Sequence, residues 1–125
     1  MRLSAFIFVL MATGAAAATK TVADNDLPFS YEIAEVSEAD MSGAVATVVT
    51  IRLKNGDHHL PLANFHCEAE NPAGRTWDVT GTATNVDAGE ERQVRLISST
   101  PDTTGDFQGA STVRCVVQAF DGGFR

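Results

Sequence analysis

Three histidines, the only ones in the chain, fall within nine residues: His58, His59 and His66. Imidazoles backed by carboxylates suit a divalent metal such as copper or zinc. Glu68 and Glu70 share the parity of His66, so an alternating strand puts all three on one outward face. A loop over residues 56–61 that folded back over this strand would carry His58 or His59 to the same place. Cys67, next to His66, points the opposite way in such a strand. The ordinary alternative is a solvated polar face with two divergent loop histidines. The three histidines are therefore candidate metal ligands, and a periplasmic divalent-metal protein is the second functional reading.

The other chemistry-bearing residues are fewer. Cys67 and Cys115 are the two cysteines of the chain. Each falls on the apolar parity of an alternating run, and an even count in an exported chain predicts a disulfide. The bond joins either two sheets or two neighbouring strands, and the spacing does not choose between them. No Cys-x-x-Cys is present to make the pair redox-active. The acidic residues Asp24, Asp26, Glu32, Glu35, Glu38 and Asp40 do not form the spaced loop of a calcium site, nor do Asp102 and Asp106 around Gly105. These carboxylates read as solubilising charge. Gly-x-Ser-x-Gly, Ser-x-x-Lys and His-Glu-x-x-His are all missing, so no catalytic residue is named and the chain reads as non-enzymatic. Trp77, the sole tryptophan, is either a sheet-packing residue or a stacking platform for a ligand such as a sugar, and it is the candidate interaction residue.

The elements that must position these residues are strands. Residues 1–18 read as a signal peptide: Arg2 is a positive start, Ala5–Met11 a short apolar core, and Ala16-Ala17-Ala18 a cleavage motif. The expected location is therefore periplasmic or secreted. Residues 19–26 are polar and read as a flexible arm, leaving 27–125 as the folded domain. There Leu27, Phe29, Tyr31 and Ile33 alternate, and Ser37–Gly43 reads as a turn. Ala44–Leu53 is rich in β-branched residues. Asn55-Gly56-Asp57 is a turn, continued as loop through His58–Pro61. Strands follow over Leu62–Glu70, Thr76–Thr84, Gln93–Ile97 and Thr112–Phe120, with Gly81 marking a split, bulge or edge and Ser98–Gly109 a polar loop. Six or seven short strands without a helical interval predict an antiparallel β-sandwich.

Charge narrows the partners. The chain carries 16 acidic residues against 9 Lys and Arg, a net charge of −7, and every acidic residue lies after residue 18. Such a surface repels nucleic acid and anionic lipid. No second long apolar run follows the leader, so no membrane span is expected in the mature chain.

The order of parts carries a resemblance. Val48-Val49-Thr50-Ile51 leads to Lys54-Asn55, an alternating strand runs over Phe65–Glu70, and Asn71-Pro72-Ala73-Gly74-Arg75 follows. Asp87-Ala88-Gly89-Glu90 then precedes Val94-Arg95-Leu96. This arrangement resembles small exported bacterial immunoglobulin-like domains, including the FxLYD type, over roughly Ala44–Ala119. The resemblance implies an immunoglobulin-like sandwich and a binding or accessory role, and it carries no catalytic residues across. The first functional reading is accordingly a non-enzymatic exported module that binds a protein or assists an envelope complex, with no cofactor named.

Overall fold

The computed structural model of the chain describes residues 19–22 and 27–121. The expected signal peptide lies outside the described residues. The fold is all-β, with seven strands among the described residues: β1 (Thr19–Val22), β2 (Phe29–Asp40), β3 (Val45–Asn55), β4 (Leu60–Glu70), β5 (Thr76–Val86), β6 (Glu91–Ser98) and β7 (Thr112–Asp121). They form one hydrogen-bonded sheet in the order β1-β7-β4-β5-β6-β3-β2. Every neighbouring pair is antiparallel except β1 and β7, which run parallel. No helix of the described residues is long and apolar enough to cross a membrane.

The sheet is curled over on itself, and one junction explains how. Strands β5 and β6 share only two register pairs, Val79↔Ser98 and Thr80↔Ile97, before they part. Gly81 follows immediately. A Cβ there would stand 2.9 Å from the Arg95 carbonyl oxygen and 3.1 Å from Leu96 Cα. Only glycine lets the β6 backbone lie this close over β5, and β6 can then turn away and carry β3 and β2 back across the sheet. β5 is neither split nor at an edge; Gly81 is where its neighbour departs. The strands thus form a continuous ladder bent into a half-barrel.

What the bend encloses is apolar. Ile51, Leu53, Phe65, Leu96 and Val113 are at most 1% exposed and alternate along their strands as the period-2 pattern requires. The aromatic rings close the two halves together. Tyr31 on β2 packs edge-on against Phe65 on β4 with centroids 5.2 Å apart, and Phe29 does so at 6.4 Å. The Tyr31 hydroxyl also donates to the Cys115 carbonyl on β7, at 3.3 Å. At the far end, Asn55 is only 5% exposed. Its side-chain amide donates to the carbonyls of His58, Val86 and Asp87, tying the β3–β4 turn to the β5–β6 turn.

Three boundaries differ from the sequence reading. Ser37–Asp40 continue β2, paired with Val48–Val45, and the turn is confined to Met41–Ala44. Its central residues both have positive φ (Ser42 57°, Gly43 92°), the geometry of a tight two-residue hairpin. A bulge between Ile33 and Glu35 shifts the parity of β2, which hides the continuing strand from an alternation count. Leu60 and Pro61 belong to β4 rather than to a loop, with Leu60 opposite Val86 and Leu62 opposite Thr84. Thr19–Val22, within the stretch read as a flexible arm, pairs with Thr112–Cys115.

Cys67 and Cys115 are joined, as expected. They sit directly opposite each other on β4 and β7, both fully buried, so the bond links neighbouring strands of one sheet. The two cysteines are 48 positions apart in the chain, and for a loop of that size the loop-entropy model assigns the bond about 4 kcal/mol. Replacing both cysteines by alanine should lower the urea midpoint and raise the m-value, since the freed unfolded chain is more expanded. An unchanged midpoint in equilibrium denaturation would refute that contribution.

Candidate functional site

The connection between β6 and β7 is long and polar, and a single carboxylate organises it. Asp102 is only 6% exposed. Its backbone forms an isolated bridge to Val45, donating at 2.9 Å and accepting at 2.8 Å. Its Oδ1 accepts from the Thr104 amide (3.0 Å) and hydroxyl (2.8 Å). Its Oδ2 accepts from the Gly105 and Phe107 amides and from the Gln108 side chain, at 2.7, 3.2 and 2.9 Å. Desolvation alone would push this carboxyl up, but the hydrogen bonds from Thr104, Phe107 and Gln108 outweigh it and hold the pKa at about 2. Asn71 pins the same loop from the β4–β5 turn. Its amide donates to the carbonyls of Asp106 and Gln108, while its Oδ1 accepts from the amides of Ala73 and Arg75.

The loop so fixed stands beside the start of β5 and leaves a groove of about 370 Å³ between them. Trp77 and Asp78 form its strand side, and Pro101, Thr103, Thr104 and Phe107 its loop side. Trp77 is half-buried. Its indole N–H donates to the Thr47 hydroxyl at 3.0 Å, and Thr47 is itself 2% exposed. The ring of Phe107 meets the indole edge-on, with centroids 6.0 Å apart and planes at 70°. Trp77 packs against the core, as the first of its two readings expects, and it also lines the groove. Reading Asp102 as solubilising charge is corrected by its burial. The pattern Asp102-Thr103-Thr104-Gly105 is the available signal, since an Asp followed by Thr and Gly folds local amides onto its carboxylate.

The histidines are not brought together. Extending β4 back to Leu60 leaves no loop to fold over His66, and from Leu60 to His66 the strand runs roughly 20 Å. His66 pairs with Asp78 at 2.9 Å across β4 and β5. His59 lies at the other end, 3.5 Å from Asp87 and 3.4 Å from Asn85. His58 is exposed, and it is its backbone carbonyl that Asn55 uses. Glu68 is engaged by Arg114. Among the described residues no group of three or more His, Cys, Asp or Glu side chains is placed to hold a metal ion. A second cleft of about 300 Å³ lies beside Arg52 and Lys54 on the opposite half of the sheet, and the Glu32–Arg52 ion pair borders it.

Comparison of the chain with protein-family models, curated proteins and solved structures finds no match.

Two outcomes follow from this geometry. A carboxyl lowered from 3.8 to about 2 on folding stabilises the fold fully above its unfolded value and loses that contribution as pH falls through 2. Asp102→Asn should therefore lower the melting temperature at pH 7, and the gap to wild type should narrow between about pH 4 and pH 2. A gap independent of pH would show that the charge of Asp102 is not what holds the loop. The double substitution His58→Ala/His59→Ala should leave the melting temperature within about a degree or two, as exposed sites usually do. A drop of several degrees would show that those rings are packed.

Proposed function

We propose that this chain is an exported, non-enzymatic binding or accessory module of the bacterial cell envelope, with the Trp77 groove as its ligand-facing surface. The observation that carries this reading is the state of Trp77. Its one hydrogen-bonding atom is satisfied inside the protein, and part of its ring faces a groove whose far wall is held by Asp102 and Asn71. Rigid aromatic surface of this kind is what binding sites use, because little conformational entropy is lost when a ligand covers it. The saturation of Asp102 with donors favours a structural role for that carboxylate over proton transfer.

Export is supported by a fully buried disulfide in a chain that begins with a leader-like segment. An immunoglobulin-like sandwich of the FxLYD kind is the fold-level form of the same proposal. In its favour, β6-β3-β2 faces β1-β7-β4-β5 across one core, and the two halves share only two register pairs. The disulfide within one half distinguishes it from antibody domains, where the bond crosses between sheets.

The test is site-specific photo-crosslinking in the producing cell. A diazirine side chain at Thr103, on the groove, should give a discrete adduct, and one at Asp57, in the turn at the other end of β3, should not. Adducts from Asp57 alone would overturn the assignment of the surface.

A further inference from the structure

The Asn55-Gly56 pair at the end of β3 carries a chemistry that the proposed binding surface does not use. We propose that Asn55 is a site of spontaneous deamidation that the native fold closes and unfolding opens. A chain left unfolded is thereby converted to one that no longer regains native stability. Asparagine followed by glycine is open to this reaction because no Cβ shields the glycine amide nitrogen from the side chain before it. Once deprotonated, the Gly56 nitrogen attacks Cγ of Asn55. The bond from Cγ to the side-chain nitrogen breaks, ammonia leaves, and a cyclic imide joins the two residues. Water then opens the imide at either carbonyl, giving aspartate or isoaspartate. The net change is asparagine plus water to aspartate plus ammonia, with no oxidant or cofactor.

The fold requires both residues, for separate reasons. Asn55 is 5% exposed, and its side-chain amide donates to the carbonyls of His58, Val86 and Asp87 at 2.8, 3.1 and 3.1 Å. An ionised carboxylate could not take its place, since it only accepts. Gly56 is fixed by a close approach: a Cβ there would overlap the Pro28 carbonyl oxygen. Packing thus builds a labile dipeptide into the junction of the two turns.

The same contacts suppress the reaction while the chain is folded. The Gly56 N–H donates to Asn55 Oδ1 at 2.9 Å, so the proton that must leave is engaged. The departing nitrogen is anchored by its three carbonyls. The backbone is tied on both sides, since the Asn55 amide donates to the Glu90 carbonyl at 2.9 Å and the Gly89 amide to the Gly56 carbonyl at 2.8 Å. Closing the imide requires these bonds to release, so the reaction waits on opening of the junction. A converted chain that refolds sets a carboxylate against the three carbonyl oxygens its amide had served, in a site shielded from water. Isoaspartate is worse, because it adds a backbone carbon at the residue paired with Phe29. Unfolding followed by this step is irreversible.

The purified protein, disulfide intact, is incubated at mildly alkaline pH in buffer and in enough urea to unfold it. Intact mass and peptide mapping follow the conversion with time. Asn55 should convert in urea, and at least about a hundredfold more slowly in buffer, because opening must come first. Asn64 and Asn85, followed by Phe65 and Val86, should stay slow in both. Asn71 precedes Pro72, whose nitrogen has no proton to lose. Molecules converted at Asn55 are separated by their added negative charge and returned to buffer. They should remain unfolded or show a lower urea midpoint than unconverted molecules carried through the same steps. Equal rates in buffer and urea would overturn the gating by the fold. Conversion of Asn55 in urea no faster than that of Asn64 would overturn the site. Converted molecules with an unchanged midpoint would overturn the loss of native stability.

Discussion

The fold depends on a backbone-to-backbone approach at Gly81. With no side chain at that position, β6 lies against β5 closely enough for the sheet to change direction after two shared register pairs. Everything enclosed follows from that turn. Tyr31 and Phe29 reach Phe65 because β2 and β3 are carried over the top of β4, and Leu96 fills the space beside the glycine. A methyl group at residue 81 would meet the Arg95 carbonyl and Leu96 main-chain atoms, which cannot give way as a flexible side-chain tip can. The disulfide acts on the other half only. It fastens β4 to β7, the strands that receive the fold-over.

The ends of the half-barrel are closed by polar side chains that act as backbone surrogates. Asn55, Asn71 and Asp102 are all buried, and each gathers main-chain groups outside the strand ladders. Asn55 serves three carbonyls with one amide. Asp102 does the reverse, offering a pure acceptor to a cluster of donors, which is why ionisation suits it despite burial. Buried main-chain groups need partners, and in a small domain with long connections these three residues supply them.

Much of the scaffold was legible in the residues. Alternation located the cores of β3, β4, β5, β6 and β7, and cysteine parity located the disulfide. Failures came where a local geometry broke the period. The bulge after Ile33 moved the apolar parity of β2, so Ser37–Asp40 looked like turn. Pro61 suggested a loop although the ladder passes over its position. The single curled sheet was not legible, since Gly81 announces an irregularity without saying which strand comes close. For the site, Trp77 was recognisable by type, but its groove is made by a loop that composition alone describes only as polar. Conversely, the histidines drew attention by sequence proximity, which along an extended strand means separation.

The bulge in β2 has a bearing on how the protein behaves in a crowded compartment. β2 ends the strand order of the described residues, and terminal strands invite the sheets of other molecules to dock and continue the ladder. This one is broken in the middle by the irregularity between Ile33 and Glu35 and carries Glu32, Glu35, Glu38 and Asp40 along its length. A second copy approaching that side would meet a kinked template and like charge at once. The irregularity that obscures the strand in the sequence is thus of the kind that makes a terminal strand a poor template for further pairing.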